Sequence, residues 1–238
     1  MTSCVIALLV LVTAPVSAYN QGNKLYAQKD YAGAAAQYEE ALKAGPSAPV
    51  NFNLGNALFK SGKIGQAILH YRRARYLSPR DRDVAANLEF ARAYRVDKVT
   101  TSASPFARGL DAALHCLSRR EATVGAAVLF ALTGGLLAAW IVRRWAVLVV
   151  AASLCALAAV YAFATQQAWA AEVRSRPAVL IVSEVNALSG PSEDAKQILL
   201  LHDGMEVEVR ETRGEYLLIQ LPGGGGWVPR TSVWRVYE

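Results

Sequence analysis

The chain has 238 residues, 53% of them hydrophobic and 18% charged, with a mean hydropathy of +0.21, too apolar for a purely soluble protein and too rich in core-forming side chains for a disordered one. The formal net charge of +6 is unevenly spread: residues 1–98 carry 13 Lys and Arg against 7 Asp and Glu (+6), residues 99–176 carry 7 against 3 (+4), and residues 177–238 carry 5 against 9 (−4). Opposite signs at the two polar ends mean that the pI of 9.3 describes no single surface, which excludes a nucleic-acid partner inferred from overall basicity.

The first element is a targeting segment. Residues 4–12 form an apolar core of nine residues, followed by Val16-Ser17-Ala18, a small-residue pattern that a signal peptidase cuts after Ala18. Such a core reaches only about 14 Å as a helix, half of a bilayer interior, so residues 1–18 are expected to be a secretory signal and not a span. No Lys or Arg precedes the core.

An internal repeat follows. Gly22 and Gly55, Ala34 and Ala67, Tyr38 and Tyr71, Ala41 and Ala74, and Pro46 and Pro79 are each 33 residues apart. Each unit predicts two helices, the first over residues 19–28 and 50–61, the second over 31–43 and 64–77, with turns at Lys29-Asp30 and Gly62-Lys63 and proline stops. Small residues at the helix crossing permit close approach, and the aromatic fills the space beside them. The pattern resembles the tetratricopeptide repeat, and residues 19–98 are expected to hold two repeats plus a capping helix within 81–95. That resemblance implies a short α-solenoid whose first helices line a peptide-binding groove, at Asn23, Tyr26 and Ala27 in one unit and Asn56, Phe59 and Lys60 in the next. Arg72, Arg73 and Arg75, with Arg80 and Arg82 beyond them, form a basic patch open to an acidic partner or to solvent.

Residues 99–121 are expected to be a linker containing a short amphipathic stretch at 111–117. Two apolar runs, 122–142 and 145–165, are 21 residues each, about 31 Å as helix, enough to cross a bilayer core of about 30 Å. Only Arg143 and Arg144 separate them, so a two-helix transmembrane hairpin is expected, with Trp140, Trp145 and Trp169 near its interfaces and a second linker over 166–176. Arg119, Arg120, Arg174 and Arg176 at the far ends would favour cytoplasmic domains by charge count, whereas the exported N-terminus favours the periplasm for both. The latter ordering is adopted, placing a two-span protein in the bacterial inner membrane. Neither run holds an acidic or amide side chain, which argues against transport.

From residue 177 the period becomes two. Met205, Val207 and Val209 alternate with Glu206, Glu208 and Arg210; residues 216–221 read as another strand; His202-Asp203-Gly204, Arg213-Gly214 and residues 222–226 read as turns. The wording Leu-His-Asp-Gly-Met-Glu-Val-Glu-Val followed by Gly-Trp-Val-Pro resembles the bacterial SH3 domain family and implies a small SH3-like β-barrel over 177–238. Tyr216 and Trp227 are its candidate rim residues.

No cysteine framework, metal site or cofactor motif emerges. Cys4 and Cys155 lie in apolar runs, and Cys116 stands alone beside His115. Acids, bases and nucleophiles are nowhere grouped, so a non-enzymatic protein is expected. The order of signal, repeats, hairpin and SH3-like segment resembles the BatE-like aerotolerance operon family. Membership implies a multidomain α plus β envelope scaffold acting with von Willebrand A domain proteins and a MoxR-type ATPase. An alternative is a cell-wall adaptor, with the SH3-like segment on peptidoglycan and the repeats recruiting an enzyme.

Overall fold

The computed structural model describes residues 16–97, 104–221 and 224–237. The apolar core of the expected signal, residue 98 at the end of the expected repeat domain and residues 99–103 of the first expected linker lie outside them. The chain divides into two compact units, one of residues 1–100 with 175–238 and one of residues 101–174.

In the first unit the repeat pattern becomes paired helices: α1 (residues 16–27), α2 (Tyr31–Leu42), α3 (Ala48–Lys60), α4 (Ile64–Leu77) and α5 (Arg82–Ala93). Local chemistry sets their ends. Asp30 accepts a hydrogen bond from Gly33 N at the start of α2, Pro49 occupies the first turn of α3, and Asp81 accepts from Asp83 N and Val84 N to open α5. Ala34, Tyr38 and Ala41, with Ala67, Tyr71 and Ala74, are all buried, as the 33-residue spacing requires. A Cβ on Gly22 would stand 2.6 Å from the Tyr38 ring, and one on Gly55 2.7 Å from Tyr71, so both crossings need glycine. Ala18, only 8% exposed, packs into the same core, and the expected cut after it falls inside α1.

His70 is buried in α4 with Nδ1 2.9 Å from Asn51 Oδ1. Burial, reinforced by the Arg73 charge, lowers its pKa from 6.5 to about 3. Between those values the unfolded chain takes up a proton that the folded chain refuses, so stability falls as pH drops, by about 1.4 kcal/mol per pH unit. Denaturation of the detergent-solubilised chain between pH 6 and 4 should show that contribution, and His70→Gln should remove it.

The C-terminal part of this unit is an antiparallel sheet of β1 (Pro177–Leu180), β2 (Glu184–Leu188), β3 (Gln197–His202), β4 (Glu206–Arg213), β5 (Tyr216–Leu221), β6 (Gly224–Pro229) and β7 (Val233–Arg235), in the order β3-β2-β6-β5-β4-β1-β7. The expected barrel is corrected here. The sheet does not close, because β3 pairs only with β2 and β7 only with β1, leaving both as edges. A second correction concerns the glycines read as a turn: Gly224–Pro229 is strand β6, lying between β5 and β2. A Cβ on Gly225 would come within 2.4 Å of Ile219 O and one on Gly226 within 2.9 Å of Ala187 Cβ, so the absent side chains are what allow this close approach. Leu201, Val207, Val209, Leu217, Ile219 and Val228 form the sheet's own core.

The second unit holds α6 (Pro105–Leu114), α7 (Arg119–Arg143) and α8 (Ala146–Arg174). Helix α6 begins earlier than the amphipathic stretch expected at 111–117, because Ser104 caps it and Pro105 fixes its first turn. Ser118 and Glu121 make a reciprocal capping box at the start of α7, and Arg144 in the left-handed region (φ 55°) reverses the chain. The expected linker at 166–176 is helical through Arg174, since no glycine or proline interrupts it. Tyr161 Oη donates to Ala113 O at 2.6 Å and Trp169 Nε1 to Leu117 O at 2.8 Å, tying α8 to α6 and the turn after it. Both α7 and α8 are long and apolar enough to cross a membrane by length and composition.

Candidate functional site

Sequence reading placed the candidate groove on the first helix of each unit, and the structure brings those helices together through a repeated hydrogen-bond triad. Asn23 Oδ1 accepts from Tyr38 Oη at 2.8 Å and from Asn53 Nδ2 at 3.2 Å. One unit later, Asn56 Oδ1 accepts from Tyr71 Oη at 2.8 Å and from Asn87 Nδ2 at 2.8 Å. Each asparagine oxygen therefore joins its own second helix to the first helix of the following unit. Burial, then the neighbouring Tyr19 and Tyr26, pushes the Tyr38 hydroxyl up to about 12, so it remains a donor throughout the physiological range.

In this arrangement both acceptor positions of each oxygen are used, and Nδ2 of Asn23 and of Asn56 makes no hydrogen bond among the described residues. Around them stand aromatics. Tyr26 packs edge-on to Tyr31 at 5.2 Å, and Phe59 lies 5.5 Å from Phe90 and 5.2 Å from Tyr94. Phe90 and Tyr94 are 54% and 58% exposed, and Lys60, next to Phe59 in sequence, is exposed. Sequence reading missed Phe90 and Tyr94. Their signal was the spacing of 34 between Asn53 and Asn87, which makes α5 the first helix of a third unit and puts Phe90 at the position of Asn56.

Residues 19–82 match the tetratricopeptide repeat family. Helices α1 to α4 are thus tetratricopeptide repeats, a module that in general mediates protein–protein interaction. No curated protein matches the chain.

The basic patch has a different environment from the groove. Arg72 Nη1 reaches Glu206 Oε2 at 3.2 Å, joined there by Arg92 Nε (2.7 Å to Oε1) and Arg95 Nη1 (3.0 Å to Oε1). Arg73 donates through Nε to Val236 O and through Nη2 to Arg235 O, both at 3.0 Å. The acidic surface met by Arg72 is therefore the chain's own sheet. Arg75 makes no ion pair or hydrogen bond among the described residues.

The predicted turn at 202–204 is what docks the sheet on the repeats. His202 N and Nδ1 both meet the Asp97 carboxylate, at 2.8 and 3.0 Å. Asp203 Oδ2 accepts from Gly65 N at 3.0 Å in the first turn of α4, a helix whose own N-cap, Lys63, supplies no side-chain bond. A carboxylate from the sheet thus serves the helix start that its local sequence leaves uncapped. Burial raises the Asp203 pKa, opposed by the backbone N–H groups of Gly65, Gly204 and Ile64. Val179 and Val236 of the C-terminal segment lie in the same buried cluster as Ile68 and Leu69 of α4.

The two candidate rim residues are not both displayed. Trp227 is 8% exposed with the Arg213 guanidinium 5.3 Å over its ring, and Tyr216 is half-buried opposite Pro229. Trp234, at 41% exposure, is the tryptophan the sheet presents. Val233 and Val236, both buried, lie three residues apart around it, so alternation with a period of two does not disclose it. Elsewhere, His115 stands 3.0 Å from Asp111, 3.6 Å from Glu172 and edge-on to Trp169, while Cys116 is an exposed free thiol. No group of residues suited to hold a metal ion occurs among the described residues.

Proposed function

We propose that the protein is a non-enzymatic scaffold anchored in the bacterial inner membrane by the α7–α8 hairpin, with repeats and sheet in the periplasm, and that its repeat groove holds an extended peptide segment of a partner protein. The observation that carries this reading is the doubled triad, which fixes two uncommitted asparagine N–H₂ groups one repeat apart beside Tyr26, Phe59, Phe90 and Tyr94. Neighbouring helices stand about 8–10 Å apart and an extended peptide advances about 3.1–3.4 Å per residue, so carbonyls three residues apart suit successive amides. Resemblance to the aerotolerance operon family points to its von Willebrand A domain proteins as the source of the segment.

Two features support the membrane reading. Large apolar side chains on the hairpin are open, Phe130 at 79%, Val142 at 77% and Leu157 at 69%, and lipid is the solvent that would cover them. Repeats and sheet share one compact unit although the hairpin separates them in sequence, which is consistent with two spans whose outer ends lie on one side of a bilayer.

Co-purification from detergent tests the groove. Changing Asn23, Asn56 and Lys60 together to alanine should reduce recovery of the von Willebrand A domain partners by about tenfold or more, two lost hydrogen bonds and one charge being sufficient for that. Equal recovery by the variant and the parent chain would reject the groove as the binding site.

A further inference from the structure

A second concave surface lies within the first unit, where α4 meets the sheet. An open groove of about 920 Å³ is lined by Arg73 of α4, Glu215 and Leu217 at the start of β5, Arg230 after β6, and Trp234 and Arg235 of β7. That volume falls in the range of about 300–1,000 Å³ in which proteins hold ligands and peptide side chains. Among the described lining residues three guanidinium groups accompany a single carboxylate, on a C-terminal segment whose overall balance is −4. Folding has therefore inverted the sign of the charge at this one place, by setting Arg230 and Arg235 beside an arginine contributed from far earlier in the chain.

The cations are also arranged for use. Arg73 is held by the carbonyls of Arg235 and Val236, so one charge has a fixed position. Arg230 is exposed and makes no ion pair among the described residues, and the Arg235 side chain makes among them a 3.5 Å contact with Thr212 Oγ1. Planar guanidiniums recognise carboxylates through paired hydrogen bonds. Leu217 is buried at the groove and Trp234 offers a flat apolar wall, so the ligand must pair negative charge with an apolar side chain.

We propose that this groove binds an acidic peptide segment of a second protein, one that alternates carboxylate and apolar side chains, at a site separate from the repeat groove. The test uses the full chain in non-ionic detergent at low salt, with fluorescence anisotropy of a labelled hexapeptide of alternating Glu and Leu and of its Gln counterpart. The Glu peptide should bind about tenfold or more tightly than the Gln peptide, and Arg230→Gln with Arg235→Gln should weaken it by about tenfold or more. Glu215→Gln should tighten binding, and Trp234→Ala should weaken both peptides. Removing the same net charge elsewhere, by Lys43→Gln with Arg82→Gln, should change nothing. Asn23→Ala with Asn56→Ala should also leave this binding intact, so that failure of the repeat groove and failure of this one are distinguishable. Equal weakening by the two charge-removing pairs, absence of a preference for the Glu peptide, or arginine-dependent binding to anionic lipid vesicles without peptide binding would overturn the proposal.

Discussion

Glu206→Gln is expected to loosen the repeats and the sheet together, at a cost of about 3 kcal/mol, because it removes the one carboxylate shared by three partly buried arginines. The Arg72, Arg92 and Arg95 side chains are 13%, 23% and 12% exposed and that of Glu206 16%, so water replaces the lost partner poorly. Burial alone would raise the Glu206 pKa, yet the hydrogen bond and charge of Arg92, with the charges of Arg72 and Arg95, hold it below the usual 4.5. A carboxylate depressed in the folded state contributes its full stability above its unfolded pKa and loses it as pH falls through the folded value. The parent chain should therefore lose this contribution below about pH 4.5, and the variant should have none to lose. Denaturation followed with hydrogen exchange checks the point: protection should fall in α4 and α5 as well as in β1 and β4. A rise in exchange confined to the sheet would show that Glu206 does not couple the two.

Gly65→Ala is expected to destabilise the first unit although helix propensity predicts the reverse. Replacing a helical glycine by alanine gains about 1 kcal/mol when the position is free. At Gly65 the new Cβ would lie 2.0 Å from Leu180 O and 2.3 Å from Asp203 Oδ1, and the first of these is backbone. Overpacking of this kind costs about 3 kcal/mol or more where backbone must move, which leaves a net loss of about 2 kcal/mol and displaces Asp203 from the start of α4. Gly109, helical with nothing within 4 Å of the same position, should by contrast show the propensity gain. Chemical denaturation of both variants decides the matter, and a stabilised Gly65→Ala chain would mean that the sheet does not seat on α4.

The repeat helices were legible in the sequence because their determinants are local and periodic: Gly22 and Gly55 admit Tyr38 and Tyr71, and proline ends each unit. Strands β4 and β5 were legible for the same reason, through alternation, although Arg213 ends β4 and the turn is Gly214-Glu215, one residue later than Arg213-Gly214. Gly224 to Gly226 misled, since a glycine run signals a turn unless a neighbouring backbone approaches too closely for any side chain. Asn23 and Asn56 lie on first helices, but their dependence on Asn53 and Asn87 is a contact between units that no spacing within one unit discloses. Arg72 and Arg73 read as a patch open to an acidic partner or to solvent because Glu206 and the Arg235 carbonyl lie well over a hundred residues away along the chain.

What the sequence determined by itself was everything carried by periodicity and length: two tetratricopeptide units, two helices able to cross a bilayer, and a β segment with alternating faces. Tertiary structure alone decided that His202, Asp203 and Glu206 are a docking turn, that the sheet stays open, that Trp234 and not Trp227 is displayed, and that arginines from distant segments gather at one groove. The physical reason is that burial patterns follow from local repeats of 3.6 and 2, whereas the pairing of charges depends on which surfaces meet after the elements have formed.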